Sequence, residues 1–360
     1  MAPVYFALKS SLACDVAVAV TAQHREMLDQ VLDLFHITPE YDLNIMKPGQ
    51  SLEELTARVL LGLKSVFDNY SPDLVLVHGD TTTAFVACLG AFYKRIPVGH
   101  VEAGLRTKNI YSPWPEEANR KLISGMSALN FAPTVTASEN LLGEGVDRGT
   151  IKITGNTVVD ALLEIDKKLK ADSALSSSLD ASLGLNTEKR LILVTGHRRE
   201  SFGEGFDRIC RALSMISKLP EVQVVYPVHL NPMVEGPVRN LLEGSDNVLL
   251  LPPVDYLPFV HLMRRASIVL TDSGGVQEEA PSLGKPVLVM RENSERPEAI
   301  LAGTAKLVGT DPDKIYSEVH KLLTDHDHYS LMSTASNPYG DGNAAQRICE
   351  AVERYFTAKL

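Results

Sequence analysis

No apolar stretch in this 360-residue chain approaches the ~20 residues that a membrane-spanning helix needs. Membrane insertion is therefore not expected. The opening residues Met1–Val4 lack the basic region and long apolar core of a secretory signal. Cysteine is scarce. Cys14, Cys88, Cys210 and Cys349 lie far apart and make no C-x-x-C pair, which speaks against a disulfide or zinc framework and for reduced thiols in a cytoplasmic protein. Positive charge is in the minority, with 35 Lys and Arg against 45 Asp and Glu. A net charge of -10 argues against a nucleic-acid backbone as partner. G-x-G-x-x-G, G-x-x-x-x-G-K-[ST] and H-E-x-x-H are all absent, so a tightly held NAD, a P-loop nucleotide and a zincin site are unsupported. His78, His100 and His229 do not make a metal-ligand spacing, and no metal is expected.

What is present is a repeated rhythm of short apolar runs and amphipathic stretches. Strands are expected at Asp15–Thr21, Asp73–His78, Pro97–Glu102, Leu129–Ala132 and Lys152–Thr154. Helices are expected at Pro3–Ser11, His24–Phe35, Leu52–Tyr70 and Thr82–Lys94. The polar stretch Lys167–Arg190 interrupts the rhythm and reads as a helix plus a surface connection. It then restarts with strands at Leu191–Thr195, Val222–Val228, Val248–Leu251, Ser267–Thr271, Pro286–Met290 and Ala305–Val308, and a helix at Phe206–Leu219. Nearly continuous apolar strands followed by helices indicate parallel sheets covered on both faces. The fold class is α/β: two doubly wound, Rossmann-like domains facing across a cleft. Residues 1–154 form the first domain and 155–343 the second, with a last helix at 344–360 crossing back to the first.

Open α/β sheets bind ligands beyond the carboxyl ends of their strands, so the polar residues there are the ones to read. Asp80 follows the strand ending at His78 and Glu102 ends the next strand. Glu116 stands behind Pro115 at the start of a helix. Each alone has a structural explanation: Asp80 could cap a helix, and Glu102 could pair with Arg106. Three successive segments that each deliver one carboxylate are better explained by a shared acid/base site. In the second half, Gly196-His197-Arg198-Arg199 follows a strand and suits a phosphate. The stretch Asp272-Ser273-Gly274-Gly275 is the most informative. Its glycines let backbone N–H groups approach a pyrophosphate at a helix N-terminus, and Glu279 can accept from both hydroxyls of a ribose. These local donors let a net-acidic chain hold a dianion.

The segments HGDTTT (78–83), HVEAGLRT (100–107), SPWPEEANR (112–120), ITGNTVVDAL (153–162), TGHRRESFG (195–203), YPVHLNP (226–232), TDSGGVQEEAPSLGKPVLVMRENSERPEA (271–299) and NPYGDG (337–342) closely resemble the bacterial non-hydrolysing UDP-N-acetylglucosamine 2-epimerases. The resemblance covers nearly the whole chain. It implies a GT-B-like fold, UDP held mainly by the second domain, and reversible epimerisation of UDP-GlcNAc to UDP-ManNAc for surface polysaccharides. It assigns catalysis to Asp80, Glu102, Glu116 and His197, and UDP contacts to Phe259, Ser273, Gly274, Gly275, Glu279 and Arg296. No cofactor is expected, but some family members bind a second UDP-GlcNAc as activator, and Gln50, Arg58, Arg198 and His229 fall in the matching segments. A homodimer is expected. The family mechanism eliminates UDP to give 2-acetamidoglucal and re-adds it after protonation on the other face.

In the family pattern a strand and a G-T-R-P-E loop precede the helix that Pro3–Ser11 matches. The loop's arginine helps bind the nucleotide. These 360 residues contain neither, so the first sheet is expected to lack its central strand, and turnover is expected to be weak or absent unless codons upstream of Met1 encode that strand and loop. Three other readings stay open: a hydrolysing 2-epimerase, a GT-B glycosyltransferase and an inactive UDP-sugar binder.

Overall fold

The structure is a computed structural model that describes residues 1–360 apart from 23, 24, 48, 295, 359 and 360. His24, the first residue of one expected helix, and the last two residues of the expected 344–360 helix lie outside the described residues. The chain divides into two units, Met1–Ala161 with Tyr339–Leu360, and Leu162–Pro338.

In the first unit, β1 (Ala19–Val20) and β2 (Tyr41–Asp42) form a parallel pair. β3 (Val75–His78), β4 (Val98–Val101), β5 (Leu129–Ala132) and β6 (Ile151–Ile153) form a four-stranded parallel sheet in that order. Every residue of β4 and β5 is buried, as expected of strands sandwiched between layers. The helix Leu52–Tyr70 starts at a capping box made by Ser51 and Glu54. Its Leu55, Val59, Leu63 and Phe67 fall on one face and enter the core with Val77, Val86 and Val98.

The strand expected over Asp15–Thr21 contracts to β1. The alternating pattern of that stretch is strand-like, but ladder partners decide its extent. Among the described residues only β2 pairs with β1, and Val16 packs by its side chain in one cluster with Leu74 and Leu76. Among the described residues no ladder joins β1 to β3.

The second unit is a six-stranded parallel sheet. Its strands are β7 (Arg190–Thr195), β8 (Val222–Pro227), β9 (Val248–Leu251), β10 (Ala266–Thr271), β11 (Val287–Val289) and β12 (Ala305–Leu307). They are ordered β12-β11-β10-β7-β8-β9. The chain winds one way from β7 and the other way from β10, so the strand order reverses between these two neighbours. In open α/β sheets such a reversal is where ligands bind, beyond the carboxyl ends of the strands. Thr195 and Thr271, the last residues of the two strands, bond through their hydroxyls at 2.6 Å and fix that edge. The helix Glu204–Ile216 buries Phe206, Ile209, Cys210, Leu213 and Ile216 against Ile192, Val224 and Tyr226.

The division between the units differs from the expected 154/155 and 343/344. Asn156 donates its backbone N–H to the Tyr339 carbonyl at 2.6 Å. The Asp160 carboxylate accepts the N–H groups of Ala345 at 2.7 Å and Ala344 at 3.3 Å. These bonds tie residues 155–161 and 339–343 to the first unit. The helix Ala344–Thr357 then packs on the helix Ala2–Lys9, burying Ile348, Cys349 and Val352 with Val4 and Leu8.

Candidate active site

The first unit gathers its polar residues at the carboxyl ends of β3 and β4. Gly79 leaves β3 at a φ of 68°, a left-handed turn that a residue with a Cβ adopts only at a cost. His100, fully buried in β4, sits 2.8 Å through Nε2 from the Gly79 carbonyl. Burial pushes its pKa down to about 3, so the ring is neutral and its Nε2–H donates to that carbonyl. The turn delivers Asp80. Glu102, directly after β4, has a φ of 64°, which is strained backbone for a non-glycine residue at a candidate site.

Arg120 joins the two carboxylates. Its Nε donates to Asp80 Oδ2 at 2.7 Å and its Nη2 lies 3.6 Å from Glu102 Oε1. Asn156 Nδ2 donates to Glu102 Oε2 at 3.0 Å, and His78 Nε2 lies 4.0 Å from the same oxygen. Asn119 Nδ2 holds the Asp80 carbonyl at 2.8 Å. The alternative expectation that Glu102 pairs with Arg106 is corrected here: Arg106 bonds Glu144 instead, at 2.8 Å. Glu116 opens the helix Glu116–Met126, one turn before Arg120. Neighbouring Glu117 is buried and accepts the backbone N–H groups of Thr107 and Lys108, which fixes the segment after Glu102.

The second cluster stands at the reversal point between β7 and β10. Asp272, fully buried, accepts the N–H groups of His197 and Arg198 at 2.7 and 2.8 Å. Its other oxygen lies 3.5 Å from His197 Nδ1. The rings of His197 and His229 stack at 5.6 Å. Burial lowers the His197 pKa, with Asp272 opposing that shift. Ser273 leads into the short helix Gly274–Glu279, and its hydroxyl makes no capping bond there. A Cβ on Gly274 would stand 3.7 Å from the Arg296 guanidinium carbon, so the cation lies over this turn, held by Glu278. Glu279 accepts the Tyr256 hydroxyl at 2.8 Å. Burial pushes its carboxyl up to about 7, with the Tyr256 bond pulling the other way. Phe259 lies one turn beyond Tyr256 in the helix Tyr256–Arg265. Of the remaining expected residues, Gln50 accepts from Arg58 at 3.3 Å in the first unit, while Arg198 and His229 belong to the second cluster.

Sequence reasoning gave no role to Arg120, Asn156, Asp272 or Tyr256. Arg120 carried a readable signal, four residues after Glu116 on one helix face. Asp272 carried another, standing between an apolar strand and a Ser-Gly-Gly turn. Asn156 and Tyr256 gain their meaning only from tertiary contacts.

The strand-end carboxylates of the first unit suit acid/base chemistry, and the anion donors at the strand reversal of the second suit a phosphorylated ligand. Residues 7–353 match the family model described as UDP-N-acetylglucosamine 2-epimerase. The chain belongs to this family. It is 57% identical over 355 residues to the UDP-N-acetylglucosamine 2-epimerase of Escherichia coli strain K12, covering 98% of this chain and 94% of that one. It is 58% identical over 357 residues to the protein of the same name from Yersinia pestis, covering 99% and 95%. Among solved structures, the UDP-GlcNAc 2-epimerase from Neisseria meningitidis bound to UDP-GlcNAc aligns with a TM-score of 0.90 at 50% identity, covering 98% of this chain and 96% of that one. The Methanocaldococcus jannaschii epimerase in complex with UDP-GlcNAc and UDP aligns with a TM-score of 0.80 at 30% identity, covering 98% and 95%.

Proposed function

We propose that the protein interconverts UDP-N-acetylglucosamine and UDP-N-acetylmannosamine without releasing UDP as a product. The observation that carries this is the Asp80–Arg120–Glu102 cluster at the carboxyl ends of β3 and β4. The C2 hydrogen of the sugar is not acidified by a carbonyl, so inversion needs a good leaving group and paired acid/base groups. UDP leaves C1 as a carboxylate removes the C2 proton, giving 2-acetamidoglucal; protonation of C2 on the other face and return of UDP to C1 complete the inversion. Asp80, Glu102 and Glu116 supply the acid/base set. His197, Arg296 and the Ser273–Gly275 turn supply charge for the detached UDP. Gln50, Arg58, Arg198 and His229 offer amide, guanidinium and imidazole groups for a second, activating UDP-GlcNAc. The test is turnover in heavy water. UDP-ManNAc should carry deuterium at C2, with free UDP remaining at trace level. Unlabelled product would eliminate the route, and UDP accumulating in proportion to product would mark a hydrolysing enzyme instead.

The protein is further proposed to be a cytoplasmic homodimer. Its four cysteines are all free thiols. The helices Leu52–Tyr70, Thr82–Tyr93 and Glu116–Met126 pack in series and leave Leu61, Phe92, Tyr93 and Leu122 exposed. Such apolar side chains on neighbouring helices suit a partner surface. Light scattering should give twice the 39.3 kDa chain mass, and Phe92→Asp should return it to one. A wild-type monomer at micromolar concentration would reject this proposal.

A further inference from the structure

The second sheet has another end, away from the strand reversal. There, before β10 and β11 begin, lies a cavity of about 400 Å³. Lys170 and Asp166 reach it from the helix Thr157–Ala171, Arg264 and Arg265 from the end of the helix Tyr256–Arg265, and Ser282 and Lys285 from the turn before β11. Four of these residues are cations. The carboxylates beside them are already shared. Asp166 pairs with Lys170 at 2.6 Å and with Arg264 at 3.3 Å. Asp180 pairs with Arg265 at 3.2 Å and with buried His261 at 2.8 Å. Lys285 makes no side-chain hydrogen bond or ion pair among the described residues, although it is half-buried. Burial, then the charge of Arg264, push its pKa down. The Ser282 hydroxyl accepts from Asn337 at 2.6 Å, so its own proton is available to donate.

A structural ion-pair network would end in balance. This one ends with four cations against two carboxylates, on a chain of net charge -10. We propose that the cavity binds a phosphate group, as the free dianion or as a small phosphomonoester. The surplus of two matches a phosphate dianion, and ammonium, guanidinium and hydroxyl donors from three elements surround one space. The site shares no residue with the nucleotide cluster, and nothing in the proposed reaction uses it.

The experiment is thermal unfolding of the full chain at fixed ionic strength and saturating UDP, with chloride replaced stepwise by inorganic phosphate or glycerol phosphate. The wild type should show a saturable rise in Tm of about 2–4 °C. Lys285→Met should start from a higher Tm, because an uncompensated half-buried cation is gone, and should lose the rise. Lys170→Gln, at an exposed position, should raise the half-saturating concentration several-fold. A larger rise with glycerol phosphate supports the ester as occupant, and an equal rise supports the free ion. Identical melting in phosphate and chloride would overturn the proposal, as would an undiminished rise in Lys285→Met or unchanged half-saturation in Lys170→Gln. A UDP-free control in chloride keeps the nucleotide reading separate, since its failure would abolish the UDP-dependent shift and leave the Lys285-dependent one.

Discussion

Glu279, the proposed ribose contact, is nearly fully buried in the second cluster, with the Tyr256 hydroxyl as its partner. A ribose offers two O–H donors, and only the ionised carboxyl accepts both. Its pKa of about 7, raised by burial, therefore sets a pH window for binding. Nucleoside affinity should rise as pH climbs from 6 to 8. Titration with uridine, which carries no phosphate of its own to ionise, isolates the effect. Glu279→Gln should bind more weakly and lose the pH dependence, and Tyr256→Phe should move the midpoint upward because the bond that favours the ionised form is gone. Stability runs the other way. The folded carboxyl binds more protons than the unfolded one between pH 4.5 and about 7, so this group's contribution falls as pH rises through that interval. Flat uridine affinity from pH 6 to 8 in the wild type would refute the ribose role. The other cluster turns on Arg120. Its guanidinium reaches both Asp80 and Glu102 and brings one positive charge to the two carboxylates. The strand-end rule marks Asp80, Glu102 and the Ser273–Gly275 turn as candidates from sequence. It could not select Arg120, whose importance comes from lying opposite two strand ends rather than at one.

Apolar runs ending in polar clusters made the buried strands of both sheets legible at the element scale. β5 and β9 match their expected limits: β9 is an unbroken apolar run, and β5 is wholly buried, with Asn130 its one polar residue. Asp15–Thr21 was read too long for a complementary reason. Its alternation of small and branched residues reports strand propensity, whereas extent depends on a neighbouring ladder. β2, two residues long, is too short to show any period. The entry of the last helix was also hidden, since its cap is a side chain distant in sequence. Asp160 accepts the N–H groups of Ala344 and Ala345 from a different helix. Helix N-termini leave such donors unsatisfied, and this one is buried. Asp160→Ala should destabilise the chain by about 1–3 kcal/mol. It should also increase hydrogen exchange across the first turn of Ala344–Thr357 before it affects the second unit. A urea midpoint equal to wild type would show that water or another side chain replaces the cap.

The division into two units places every proposed UDP contact, Phe259 through Arg296, within Leu162–Pro338, together with His197. The three proposed acid/base carboxylates all belong to the other unit. Binding of the nucleotide and handling of the ring proton are thus assigned to separate folding cores, each with its own sheet. UDP alone, lacking the sugar, should engage only the second. Hydrogen exchange read by mass spectrometry tests this on the intact chain. Saturating UDP should slow exchange in peptides spanning 195–199 and 272–279, where backbone N–H groups leave β7 and β10, by an amount approaching its binding free energy if opening is local. At a hundred times Kd that is about 2.7 kcal/mol, or roughly a hundredfold in protection. Peptides spanning 78–83 and 100–107 should respond to UDP-GlcNAc and much less to UDP. Protection by UDP concentrated in the first unit, with none at 272–279, would transfer the nucleotide site to the carboxylate cluster and undo the assignment of UDP to the glycine turn.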